Sequence, residues 1–460
     1  MSPSNTPDHG ISLAEAVRTW AYVGLNSFGG PAGQIAVMHK VLVEDKRWIG
    51  ETRFLHALNY CMLLPGPEAM QLAVYVGWLL HRTLGGLIAG ILFVLPGIVC
   101  MMALSVLYVA FADLSWVQGL FYGLTGAVVV VVVEALLRIS KRALKNRAMI
   151  ALAAIAFFAI HVADVPFPAI VAAAALIGYA GATLAPGWFA PAAATKTDAR
   201  DAEAALDRQF AAGAPAHTRP DAKRLVLVVL VWVALWFAPT LFAVWLEGWS
   251  GIYAKIGVYF SQLAVVTFGG AYAVLAYVAQ QAVEVHGWLS PEEMLYGLGL
   301  AETTPGPLIM VLQFVGFLAG YRDPWPLEPM TAGVLAGLLA TWATFVPSFL
   351  FIFAGAPYVE AIRGHKALGG ALSAITAAVV GVVLNLAVWF ASHALFAERV
   401  KVGVLAWTYE APVVTSLDPA LVLVTLGAGV AMFRFHVGMI PTLGAAALVG
   451  VVLRLAGIGG

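Results

Sequence analysis

Four stretches of the sequence, 84–111, 116–133, 225–246 and 330–359, carry no charged side chain. A helix needs about 20 apolar residues to cross the hydrocarbon of a bilayer, and each stretch meets or approaches that length. Five more, 148–163, 166–186, 367–395, 418–433 and 437–453, are shorter or less uniformly apolar. Backbone hydrogen bonds in lipid must close within the segment, so these runs predict helices despite their Val and Ala content. Composition agrees: 61% of the 460 residues are hydrophobic and 11% charged, against about 25% charged in a soluble domain. So few charges cannot cover a water-facing surface, and membrane lipid is the expected surroundings. Zero net charge argues against nucleic acid as a partner. The expectation is an all-α polytopic membrane protein. The first ten residues lack the apolar core of a signal peptide, so no cleaved leader is expected.

Orientation follows from the basic loops. The run Arg138–Arg147 is the strongest basic cluster and is placed in the cytoplasm. Counting spans from it puts His81 and Arg82, the N-terminus and the 188–224 stretch on the same side. That stretch is rich in Ala, Pro, Thr and mixed charge and reads as a disordered cytoplasmic linker, with a small helix around Glu203 to Phe210 as the alternative. Span 225–246 then crosses outward, and everything after it is inverted relative to the first half. The count leaves Arg363, His365 and Lys366 inside and the less basic loop 396–417 outside. The predicted organisation is a first repeat over 1–187, the linker over 188–224, and a connecting helix plus a second, inverted repeat over 225–460.

The repeat is visible in the residues themselves. Phe28, Gly29 and Gly30 match Phe268, Gly269 and Gly270 at an offset of 240. In the same ungapped register Val43, Glu44 and Trp48 match Val283, Glu284 and Trp288, and Pro65, Gly66 and Pro67 match Pro305, Gly306 and Pro307. Inverted repeats of this kind are a signature of secondary transporters, whose substrate site lies near the midplane at the repeat interface. Duplication retained for packing alone is the plainer alternative.

The stretches 11–27, 28–44, 54–64 and 67–80 are too short to span, and each pair is divided by a motif that a helix cannot continue through. Pro31 and Pro67 suit helix starts, and glycine permits the positive φ of a tight tip. Two re-entrant hairpins are expected, repeated in the second half, with tips near mid-membrane; a broken but fully spanning helix over 54–80 competes with this. Helix N-termini carry free N–H groups and about half a positive charge each, which suits an anion. The candidate substrate residues are therefore Ser27, Phe28, Gly29 and Gly30 at the first tip, and Pro65, Gly66, Pro67 and Gln71 at the second. Their counterparts are Thr267, Phe268, Gly269 and Gly270, then Thr304, Pro305, Gly306, Pro307 and Gln313. For the hydroxyls and amides among them, capping or helix packing is an equal alternative. Glu68 and Glu302 flank tips and are candidates for proton coupling, with dipole compensation the alternative for Glu68. Arg18 steers an anion or snorkels to the surface, and Arg82 attracts an anion or anchors the loop. Glu134 is expected to pair with Arg138 at helical spacing. Asn385 is expected to bridge helices.

The order Ser-Phe-Gly-Gly-Pro, Arg47-Trp48, Leu64-Pro65-Gly66-Pro67, Gln71 and Gly77, with Thr-Phe-Gly-Gly, Trp288, Pro-Gly-Pro and Gln313 in the second half, resembles the chromate transporter family. The resemblance covers both halves, as in its long-chain, two-domain members. It implies export of chromate from the cytoplasm across a bacterial plasma membrane, with sulfate as a chemically similar oxyanion. One departure is Ala271 where the first half has Pro31. An enzyme or redox protein would need paired histidines in spans or a ligand set. Cys61, Cys100 and the ten scattered histidines supply neither, so no metal, no cofactor and no enzymatic activity are expected. The energy source stays open, as does oligomeric state, a homodimer included.

Overall fold

The computed structural model describes residues 9–189, 203–213, 215–268, 271–324, 326–358, 366–404 and 407–458. The first half contains α1 (Leu13–Asn26), α2 (Gly30–His39), α3 (Glu51–Leu63), α4 (Glu68–Phe111), α5 (Ser115–Ala143), α6 (Arg147–His161) and α7 (Phe167–Leu184). Between the halves lie α8 (Pro186–Phe189), α9 (Ala205–Ala212) and α10 (Ala222–Glu247). The second half contains α11 (Ile252–Val266), α12 (Ala271–Ala279), α13 (Pro291–Thr303), α14 (Val311–Arg322), α15 (Pro329–Gly355), α16 (Lys366–Leu395), α17 (Pro419–Gly429) and α18 (Met439–Leu455). The helices α4, α5, α7, α10, α15 and α16 are long and apolar enough to cross a membrane. The chain is thus an all-α polytopic membrane protein, with one addition. The loop over 396–417 holds an antiparallel ribbon of β1 (Arg399–Val404) and β2 (Trp407–Pro412), in which Val400, Val402 and Val404 recur with the period of a strand.

The duplication reaches the backbone. Helices α3 and α13 span 51–63 and 291–303, so both ends are 240 apart. The π-helical turns that end α2 and α12, Lys40–Asp45 and Gln280–Val285, keep the same offset. In the loops that follow, the Trp48 N–H donates to Leu42 O and the Trp288 N–H to Ala282 O, both at 2.8 Å. Arg47 holds φ 53° where the second half has Gly287 at φ 62°, so the left-handed turn is kept even where a side chain makes it costly. Register then shifts. Helix α4 passes from its first to its second segment through two non-helical residues, His81 and Arg82, whereas 323–328 separate α14 from α15. The Pro96-Gly97 and Pro347-Ser348 steps inside α4 and α15 consequently stand 251 apart.

Two expectations need correction. The span predicted over 116–133 continues to Ala143, because Lys141 and Arg142 at a helix C-terminus are electrostatically favourable. Glu134 and Arg138 are paired along it, as their spacing predicts. The linker is also partly folded, in line with its alternative reading of a small helix around Glu203 to Phe210: α9 is a helix, and Leu206 within it is fully buried. Residues 190–202, like Arg363 and His365, lie outside the described residues.

Close contacts divide the chain into two units, each drawing on both halves of the sequence. One comprises Met1–Met101, Ala192–Gly270 and Thr304–His365; the other comprises Met102–Pro191, Ala271–Thr303 and Lys366–Gly460. In the first, α15 packs on α10, α11 and α14. The Trp236 indole donates to Ala343 O at 3.1 Å and the Trp342 indole to Leu235 O at 2.9 Å. Also in this unit, His217 docks on α4 and donates from Nε2 to Trp78 O at 3.1 Å. In the second unit, α5 packs on α18 and α16 on α6 and α7. Small residues permit the approach, as membrane helix contacts require. A Cβ at Gly123 would stand 2.0 Å from Ala446 O, and one at Gly178 2.3 Å from Gly370 O. His161 on α6 and Asn385 on α16 are bonded at 2.8 Å, so Asn385 does bridge helices.

Gly123→Leu is therefore expected to separate α5 from α18 at a cost of about 3 kcal/mol. Gly427→Leu, where a Cβ meets nothing within 4 Å, should be tolerated; thermal melting of the two purified variants in detergent checks the contrast. Burial and the nearby Arg82 push the His217 pKa down from 6.5 to about 4, with Arg224 adding to the effect. The unfolded chain binds that proton more readily, so the stability His217 contributes is complete above about pH 6.5 and is lost as pH falls toward 4. Melting temperature should accordingly fall more steeply over that window in the wild type than in His217→Gln.

Candidate functional site

The four breaks all belong to the first unit, and two hydrogen bonds tie them together across the halves. The Gly306 N–H donates to Ser27 O, and the Gly66 N–H donates to Thr267 O, each at 2.8 Å. Each Pro-Gly-Pro loop is thus held by the break of the opposite half. The exchange is reciprocal, each half supplying one donor and one acceptor.

The local geometry is repeated as closely. The Ser27 hydroxyl donates to Val23 O and the Thr267 hydroxyl to Leu263 O, both at 2.6 Å, so each closes a carbonyl one turn back. The Phe28 N–H reaches Asn26 O at 3.1 Å and the Phe268 N–H reaches Val266 O at 3.0 Å. Gly29 and Gly30 take φ 80° and 69°, and Gly66 and Gly306 take 118° and 101°. A Cβ at Gly29 or Gly30 would meet nothing within 4 Å, whereas one at Gly306 would stand 3.2 Å from Gly97 Cα. Glycine serves backbone conformation in the first case, and close approach as well in the second. Gly269 and Gly270 lie outside the described residues.

Three buried glutamines finish the cluster. Gln71 Nε2 donates to Pro65 O at 2.7 Å, Gln313 Nε2 to Ile98 O at 3.0 Å, and Gln34 Nε2 to Gly306 O at 2.6 Å. A carbonyl accepts only from the amide nitrogen, so each of these contacts fixes which way its amide faces. The Oε1 atoms of Gln71 and Gln313 are consequently acceptors, and both are buried with no hydrogen-bond partner, as is the Ser348 hydroxyl. Ser348 Oγ would stand 3.1 Å from a Cβ on Gly66. The Pro347-Ser348 step thus meets the first Pro-Gly-Pro loop as the Pro96-Gly97 step meets the second. Buried polar atoms without partners are costly, and these three lie beside the Pro-Gly-Pro loops.

The sequence brought Ser27, Gly66, Thr267, Gly306 and their neighbours into one hypothesis, and the structure brings them into contact. It also assigns the Gly66 and Gly306 N–H groups to the bonds between halves. Pro305 and Pro307 frame the second loop, Thr304 beside them is buried, and Pro67 O accepts the Gln71 N–H at 3.0 Å. Gln34, Ser348 and the two proline steps were not anticipated. Gln34 had a signal, being an uncharged amide in an apolar arm; Ser348 had none, because hydroxyls are ordinary in membrane helices.

The charged candidates stand differently. Glu68 is half-buried in the first turn of α4. Arg18 is exposed on α1. Arg82 is exposed at the break inside α4, where its charge acts on His217. Glu302 belongs to the second unit and is 1% exposed. The Tyr272 hydroxyl donates to its Oε1, its Oε2 has no hydrogen-bond partner, and the Glu134–Arg138 pair of α5 lies within electrostatic range. Among the described residues no group of three or more His, Cys, Asp or Glu is placed to hold a metal.

The family profile described as chromate transporter matches residues 14–179 and 254–451. A chromate transport protein of Pseudomonas aeruginosa is 32% identical over 364 residues, 78% of this chain and 76% of that one. Another from Cupriavidus metallidurans is 27% identical over 387 residues, 84% of each chain. A probable chromate transport protein of Synechococcus elongatus is 23% identical, covering 81% of this chain and 83% of that one. No solved structure matches.

Substitutions at the breaks should rank by geometry. Gly29→Ala meets only left-handed strain, roughly 1–2 kcal/mol. Gly306→Ala adds a tight backbone contact to that strain and should cost more. Gln34→Leu leaves Gly306 O buried without its donor, at about 1–3 kcal/mol. Equilibrium or thermal unfolding of the three purified variants tests the order.

Proposed function

The chain belongs to the chromate transporter family, and from that premise we propose that it exports chromate from the cytoplasm, holding the anion where the four breaks meet. As a member of that family it is a multi-pass membrane transporter and not an enzyme. The proposed setting is a bacterial plasma membrane, with the N-terminus in the cytoplasm. Residues 1–187 then form the first repeat, 188–224 the cytoplasmic linker, and 225–460 the connecting helix and second, inverted repeat.

One observation carries the reading: the reciprocal bonds Gly306 N–H to Ser27 O and Gly66 N–H to Thr267 O bring the breaks of the two halves into one polar cluster. Within this unit α2, α4 and α14 follow the breaks, and each brings roughly half a positive charge at its first turn. Helices α1, α3 and α11 of the same unit end there and oppose this. The exchange weakens the opposition, because the carbonyls of Ser27 and Thr267, directly after α1 and α11, are already bonded. The Ser348 hydroxyl supplies a neutral donor, and the oxygens of Gln71 and Gln313 accept from water accompanying the anion.

A dianion leaving a negative-inside cell gains about 2.3 kcal/mol per charge per 100 mV, so the membrane potential alone favours export. Glu302, buried beside Tyr272, and Glu68, at the α4 start, are the groups proposed to couple a proton to the movement. Arg18 and Arg82 are proposed to attract the anion at the cytoplasmic mouth. Sulfate is the alternative substrate.

Cells producing the protein are expected to accumulate less labelled chromate than control cells. Gly30→Leu and Gly66→Leu should abolish that difference while the protein remains in the membrane. In everted vesicles chromate uptake should outlast an excess of sulfate; full competition by sulfate would reassign the substrate. Glu302→Gln should leave uptake intact and remove its response to an imposed proton gradient.

A further inference from the structure

The two repeats differ at one corresponding place. Helix α13 begins with a capping box: Ser290 Oγ accepts the Glu293 N–H at 3.2 Å, and Glu293 Oε2 accepts the Ser290 N–H at 2.8 Å. This reciprocal pair satisfies two N–H groups that a helix start otherwise leaves open. At the same positions of the first repeat, 240 residues earlier, α3 has Gly50 and Arg53. Gly50 has no side chain to accept with, and Arg53 has no acceptor at all. The box is gone, and the helix that it would start is the one leading into Pro65-Gly66-Pro67.

The missing carboxylate comes from the linker. Asp207 of α9 accepts the Gly50 N–H on Oδ2 at 2.7 Å, the bond that Glu293 makes to Ser290 in the second repeat. Its Oδ1 accepts from Arg53 Nε at 2.7 Å, so the side chain that replaced the box glutamate now holds its substitute. The exchange runs both ways. The first N–H groups of α9, on Ala205 and Leu206, donate to Arg47 O at 3.0 Å and Trp48 O at 2.9 Å. Arg47 pairs with Glu203 at 3.1 Å, the Arg53 guanidinium lies 4.0 Å over the Phe210 ring, and Leu206 is fully buried in the contact. Each helix start is capped by the other.

We propose that the segment joining the repeats is a clasp in which Asp207, through Arg53 and Gly50, acts as a positioning residue for α3 and hence for the first Pro-Gly-Pro break. The clasp explains why the first repeat tolerates the loss of its own cap: the acceptor is supplied from about 155 residues further along the chain, once the linker has folded back. It also ties the linker to transport, because any rearrangement of the linker withdraws the cap from a helix that ends at the proposed anion site. The connection between the halves is thus part of the apparatus that sets break geometry.

The test uses full-length protein reconstituted in lipid vesicles, read by amide hydrogen exchange at residues 50–54 and by initial rates of labelled chromate uptake. Asp207→Ala is expected to raise exchange at the start of α3 about five-fold, the equivalent of one lost N-cap, and to slow uptake several-fold at unchanged protein level. Adding Gly50→Ser and Arg53→Glu to Asp207→Ala rebuilds the box of the second repeat and should return both readings toward the wild type. Should Asp207→Ala fail to accumulate, Arg53→Gln replaces it. This variant removes the bond that orients the carboxylate and leaves the Gly50 bond, so exchange at the start of α3 should rise less than about five-fold and uptake should slow. Unchanged exchange in the single variant overturns the clasp. Restored exchange without restored uptake overturns the positioning role, as does faster uptake on losing Asp207. If the wild type moves no chromate, the substrate assignment fails while the exchange measurements still decide the clasp.

Discussion

Lipid supplies no hydrogen-bond partners, so each interruption of a helix in this protein has to be closed by the protein itself. The bonds from Gly306 to Ser27 and from Gly66 to Thr267 are how it is done. A residue that ends a helix has a carbonyl to satisfy, a Pro-Gly-Pro loop has an N–H to satisfy, and the two are exchanged between halves. Neither half can close its breaks alone. The polar cluster at the breaks, with Gln34, Gln71, Gln313 and Ser348 gathered around it, follows from that dependence.

The same logic recurs at the edge of the apolar region. Helices α3 and α13 occupy equivalent positions and need equivalent caps, yet one finds its acceptor within its own first turn and the other finds it in the linker. Duplication preserved the requirement while leaving the means free to differ. Arg47 and Gly287 make the same point: the left-handed turn is retained, and only the residue that adopts it has changed. Where helices meet far from the breaks, small residues decide the contact, since packing in lipid depends on close approach and not on water exclusion. Gly123 against Ala446 and Gly178 against Gly370 are such approaches.

Much was legible beforehand because its causes are local. Runs without charge announce helices in lipid, and their ends were found to within a few residues for α10, α15 and α16. A constant offset of 240 announces duplication, and it survives in the boundaries of α3 and α13. Glycine and proline announce breaks, since few other residues tolerate those backbone angles. The basic run after Glu134 misled, because it was assigned to a loop when its cations instead complete the C-terminal end of α5. In the linker the leading reading misled, and the alternative of a small helix around Glu203 to Phe210 is what the structure shows. The polar, Ala- and Pro-rich composition around α9 is that of a disordered segment, and what α9 packs on is a surface, Arg47 to Arg53, that lies far away in sequence.

By itself, then, the sequence determined that this chain crosses a membrane as helices, that it is built twice over, and where its helices must be interrupted. Those are consequences of side-chain chemistry and backbone freedom, which each residue carries with it. The tertiary structure decided what the interruptions bond to: which carbonyl receives Gly66, which carbonyl orients Gln34, and which carboxylate caps Gly50. No local pattern encodes those choices, because a backbone N–H is the same at every position and its partner is set only when distant segments are brought within 3 Å.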